Sequence, residues 1–147
     1  MDADRVAGLE RRLGHRFLDP ALLERALTHA SHAHEHPPAA HHERLAFLGD
    51  AVLGLVVAQH LVAADPDAPV GVLTPRRAEL ISGVRLASFA QALELPPLLQ
   101  VGRGEEQTGG RERESILATT LEAVLGAVYL DGGLDAARTA IGRVTAW

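Results

Sequence analysis

Two long apolar runs constrain this chain more than anything else in it. Residues 43–64 read ERLAFLGDAVLGLVVAQHLVAA, and residues 115–131 read SILATTLEAVLGAVYLD. Neither alternates polar with apolar as a half-buried strand does, and both are too long for a typical strand. Both are too apolar for a surface helix, so each is expected as a buried central helix. The rest of the chain must then cover these two. No internal repeat and no strand pattern interrupts this reading, which predicts an all-α single domain over residues 1–147.

The flanking segments carry helix punctuation. Residues 6–13 read as a short amphipathic helix ended by Gly14. Asp19-Pro20 is an N-cap followed by a first-turn proline, with Leu22, Leu23, Ala26 and Leu27 as the stripe behind it. The stretch from Ser31 to His42 holds five His and Pro37-Pro38. It is expected as an exposed polar loop, although clustered His can also bind metal. Thr74-Pro75 is expected to open a helix through about Ile81, and a further helix runs over 83–93. Residues 101–114 form a Gly-rich charged loop. Ser115 is the expected N-cap of the second central helix, Gly132-Gly133 its break, and 134–144 a last helix.

Composition excludes several classes. The chain has no Cys, which removes disulfides and thiolate metal sites. No uninterrupted apolar run approaches the roughly 20 residues of a membrane span. The charged start, MDADRVAGLERRLG, has no signal-peptide core. The expected location is therefore the cytoplasm, with no membrane partner. The net charge is −5, although all 14 basic residues are Arg. A domain that binds nucleic acid by electrostatics alone is normally basic, so contact with RNA would need a local Arg patch or a partner.

Asp50 and Glu122 stand out, one inside each apolar run. Burying an unpaired carboxylate costs several kcal/mol. Either each lies on the wet edge of its helix, or the two are paired, neutralised or bound to a cation. Ala46 shares a face with Asp50 at i,i+4, and Thr119 shares one with Glu122 at i,i+3. Acids at all four positions would make an oxygen-ligand set of the kind hard divalent cations prefer.

HERLAFLGDAVLGLVV (42–57) resembles the signature of the ribonuclease III family. The resemblance continues in ALTHAS (26–31), LISGVRLASFAQALEL (80–95), GRGEEQTGG (102–110) and SILATTLEAVLGAVYLDGG (115–133). It implies an all-helical ribonuclease III-type domain, a symmetric homodimer, and magnesium- or manganese-dependent cleavage of double-stranded RNA. No segment resembles the family's C-terminal double-stranded RNA-binding domain. The family's four metal-binding acids fall on Ala46, Asp50, Thr119 and Glu122. Asp50 and Glu122 are kept as catalytic and metal-binding candidates. Ala46 offers no ligand atom and Thr119 only a neutral hydroxyl, so the implied metal would bind weakly or not at all. Phe47 falls where the family packs a Phe into the partner subunit. Arg44, Arg76, Arg77, Arg103, Arg111 and Arg113 are candidates for RNA phosphate, although neighbouring Glu residues also permit solvated ion pairs. Three functions follow. The first is an RNA- or partner-binding dimer with impaired cleavage. The second is an active endoribonuclease. The third is a fold recruited to other chemistry.

Overall fold

A computed structural model describes residues 1–147. It is 75% helical without strands, and its only β feature is an isolated bridge between Thr28 and Gln100. The helices are α1 (Ala3–Leu13), α2 (Pro20–Ala26), α3 (Ala30–Glu35), α4 (Glu43–Ala64), α5 (Val70–Leu80), α6 (Gly83–Ala92), α7 (Arg103–Gln107) and α8 (Glu114–Thr145).

The two apolar runs are α4 and α8, and they form the largest helix–helix contact in the molecule. Leu45, Leu53 and Val57 of α4 and Leu117, Leu121, Val124 and Leu125 of α8 belong to one core of 31 buried residues. By length and mean hydropathy both helices could cross a membrane, although Asp50 and Glu122 interrupt the apolar runs. Here much of that apolar surface is spent on packing within the domain. α6 lies against α8, and α1 and α2 cover it from other sides. Gly133 has φ 83° and ψ −173°, so α8 is broken where the glycine pair was expected to break it.

Side-chain caps explain the starts of four of the eight helices, α1, α2, α3 and α6. The Asp2 carboxylate accepts from Asp4 N (2.9 Å), which starts α1 three residues before the expected Val6. Asp19 accepts from Ala21 N (3.1 Å) and Pro20 fills the first turn, as expected. Three expectations need correction. The His-rich segment is not simply an exposed loop. His29 caps Ser31 N (3.1 Å) and starts α3, and His42 is 2% exposed. α5 begins at Val70, four residues before Thr74, and carries Pro75 inside it. That proline is tolerated because Gly71, whose carbonyl it leaves unpaired, is exposed to water. The loop over 101–114 contains α7, and α8 starts at Glu114 with Arg113 rather than Ser115 as its cap.

Candidate functional site

Where α4 crosses α8, no side chain separates the two backbones. A Cβ built on Gly49 would overlap the carbonyl of Glu122, and one on Gly126 would overlap that of Leu45. Only glycine permits this approach. The contact sets Asp50, the neighbour of Gly49, beside Glu122.

The two carboxyls lie within hydrogen-bonding reach. Glu122 is half-buried, while Asp50 is exposed, which settles its helix position in favour of the wet edge. Burial pushes the Glu122 carboxyl up to about 8, and the hydrogen bond and negative charge of Asp50 add to the shift. A value near 8 favours the protonated form of Glu122 at neutral pH. Thr119, one turn before Glu122, donates its hydroxyl to Ser115 O (2.9 Å). Ala46, one turn before Asp50, is 8% exposed and has no polar side-chain atom.

As a donor set for magnesium these residues do not fit well. Only two carboxyls, Asp50 and Glu122, face the crossing, and the Thr119 hydroxyl is already engaged with backbone. A hard cation that gives up its waters reluctantly needs more anionic oxygen than this. No group of three or more His, Cys, Asp or Glu is placed to hold a metal.

Phe47 is 84% exposed, an unusual state for the largest side chain of an apolar helix. It lines a surface cavity of about 480 Å³ with Arg25, Arg44 and Leu130. Leu55 and Val62 continue the exposed apolar stripe along α4.

The arginine candidates divide. Arg44, Arg77 and Arg103 are exposed. Arg76 pairs with Asp65 at 3.2 Å. Arg111 is committed to the fold: it donates to the carbonyls of Pro96 (3.2 Å) and Leu99 and pairs with Glu106. Arg113 pairs with Glu105 and donates to Thr108 O (3.3 Å).

Sequence reasoning missed two groups near these elements. Asp131 accepts from His15 (2.8 Å), Leu18 N (2.8 Å) and Asp19 N (2.9 Å), which hold its carboxyl below the usual range although burial opposes them. His42, at the start of α4, is pushed down to about 4, chiefly by burial and further by His29 and His41. Its Nδ1 is buried without a partner. Burial also lowers His29, outweighing the pull of Glu105 and Glu43. The acid inside LAFLGDAV was a signal on the page. A buried His in a His-rich stretch had none, because polarity there reads as loop.

Comparison with known proteins gives one consistent answer. Residues 19–146 match the family model described as Ribonuclease-III-like. The chain is 54% identical to "Ribonuclease 3" of Streptomyces coelicolor over 92% of its own length and 49% of that protein's. It is 51% identical to "Ribonuclease 3" of Heliobacterium modesticaldum over 90% of its length and 57% of that protein's. The chain thus spans about half the length of the curated relatives it matches. The crystal structure of the nuclease domain of ribonuclease III from Campylobacter jejuni superposes with a TM-score of 0.89 at 37% identity, covering 99% of this chain and 95% of that one. A second structure of that domain, at 0.89 and 38% with 95% of each chain covered, is described for flexibility in a region involved in dimer formation.

Proposed function

The chain belongs to the ribonuclease-III-like family, and from that premise we propose that it is a dimeric, RNA-binding nuclease-type domain in which cleavage of double-stranded RNA is weakened. One observation carries the reading: Asp50 lies beside Glu122 with no third carboxylate, while by the family resemblance Ala46 and Thr119 stand where two further acids are expected. Double-stranded RNA is read mainly through shape and backbone, which does not require an intact metal site. Among the arginine candidates, Arg44 and Arg77 are exposed and unpaired, and exposed Arg103 faces Glu35 at 4.0 Å. The exposed Phe47 stripe supports association with a second copy, a self-complementary contact of the kind two-fold dimers use. Divalent metal would be held weakly, and a cytoplasmic location belongs to the same proposal.

A second reading, an active endoribonuclease, is favoured by the two surviving acids lying side by side. It is also favoured by identity near one half to proteins called ribonuclease 3. One experiment separates the two. The chain is incubated with a long perfect RNA duplex in magnesium and then manganese, beside Asp50→Asn and a variant carrying Ala46→Glu with Thr119→Asp. The expected result is duplex retained in a mobility shift but cut very slowly or not at all, with tighter metal binding by the double variant. Efficient cutting in magnesium by the unmodified chain, abolished by Asp50→Asn, would put the enzyme reading first.

A further inference from the structure

α3 is only six residues long, and its start rests on one imidazole. Ser31 N donates to Nδ1 of His29 (3.1 Å), which is the cap bond of the helix. Ser31 Oγ stands 2.7 Å from the same nitrogen and itself accepts from Gly102 N (2.8 Å). A backbone N–H can only donate, so Nδ1 must accept. His29 is therefore neutral here, with its proton on Nε2. The same neighbourhood ties α3 to the segment that opens α7. His29 N donates to Gln100 O (2.9 Å), and a Cβ on Gly102 would meet Ser31 O at 2.9 Å. At the far end of α3 the Glu35 carboxylate accepts from Arg103 N (2.9 Å).

From this geometry we infer that His29 is an acid-sensitive latch: neutral, it holds α3 and α7 to the body of the domain, and protonated, it releases them. A proton added to Nδ1 turns the acceptor of the cap bond into a donor that faces another donor. Ser31 Oγ can turn to accept the new N–H, but Ser31 N is left without a partner. A helix this short does not persist on its own length once its cap is gone. The titratable and charged groups facing the ring are Glu43 on α4, Glu105 on α7, His41 and His42 ahead of α4, and Arg113 ahead of α8. Glu105 and Glu43 favour the proton, while His41 and Arg113 oppose it. Burial outweighs the two acids and holds His29 below the ordinary histidine value. A histidine lowered in the fold stabilises it fully above about pH 6.5 and loses that contribution as pH falls past its folded value. The release therefore belongs to the acid side of about pH 6.5. The latch does not depend on whether the chain cuts RNA.

The test is an NMR titration of the intact chain from about pH 7.5 to about pH 4.5, a range that brackets the ordinary histidine value. It follows the imidazole nitrogens together with the amide and Cα signals of α3. At the upper end His29 should show the form protonated on Nε2. On the acid side the folded-to-open ratio of α3 should fall about fivefold, the equilibrium factor of one lost cap, while α4 and α8 keep their signals. His29→Asn supplies a capping side chain that does not titrate, so α3 should persist through the same range. His42→Gln should keep the step of the parent. A proton on Nδ1 at the upper end would overturn the latch, and so would an equal step in His29→Asn or its loss in His42→Gln. In the parent the step must track the His29 ring nitrogens themselves. A step at another pH, or one shared by α4 and α8, overturns the latch whatever the variants do.

Discussion

Single residues decide how the two central helices meet. Gly49 touches the backbone of the facing helix, so Gly49→Ala cannot be absorbed by a flexible side chain. Overpacking of this kind costs about 1–3 kcal/mol, and more where backbone must move. Thermal melts should show Gly49→Ala clearly destabilised. Gly71→Ala, in the exposed helix α5 with nothing within 4 Å of the added carbon, should gain up to about 1 kcal/mol. His42 sets an acid limit at the same scale. Its neutral form is favoured in the fold, with its pKa at about 4 against about 6.5 unfolded, so its contribution is full above pH 6.5 and disappears as pH falls towards 4. The shift corresponds to about 3 kcal/mol. Glu122 runs the other way, since its raised value favours the fold as pH falls from about 8, and Asp131 acts only below the ordinary Asp range. The comparison that isolates His42 is therefore the difference between parent and His42→Gln in urea melts at pH 7 and pH 4.5. That difference should shrink at the lower pH. A constant difference would remove His42 from the account.

Whole elements were legible from sequence to different degrees. α2 was readable to the residue because Asp19 and Pro20 act locally, through a cap bond and a fixed φ. The central helices were readable from apolar length alone. α3 was not, because its start depends on a histidine acting as cap and its Ala33 on burial beneath neighbours. The start of α5 was displaced because Thr74-Pro75 resembles a cap, while Pro69 supplies the actual one. Periodicity placed Asp50 and Glu122 on their helices. Their meeting was suggested by the family resemblance and by the cost of burying each alone, a cost that Asp50 avoids by lying at the surface. The exposed stripe of α4 makes a prediction of its own. Phe47→Asp introduces charge at the most exposed apolar side chain of that stripe, where loss of an interface anchor costs upwards of about 1 kcal/mol. Light scattering should show the parent at twice the chain mass and the variant shifted towards one. A parent already at single-chain mass would count against the dimer.

For the molecule as a whole, charge is the governing quantity. With a net value of −5, the proposed contact with duplex RNA falls to exposed arginines such as Arg44 and Arg77, since Arg76, Arg111 and Arg113 are engaged with protein groups. Proteins that neutralise six or more phosphates lose roughly a thousandfold or more in affinity between 50 and 200 mM salt. This chain should lose much less than that on duplex RNA over the same range, and Arg44→Ala should flatten the slope further. A steep salt dependence would mean that a larger cationic face is presented than the exposed arginines supply.

The glycine crossing has one more consequence, for how such a domain changes over generations. The spacing between positions 50 and 122 is written in peptide units, which every amino acid shares, and not in the side chains that mutate around it. Leucines and valines elsewhere in the interior can be exchanged without moving that ruler. Positions 46 and 119 can take any side chain while that spacing stays in place. Acids introduced at 46 and 119 would meet a framework already set, with no part of it to be rebuilt.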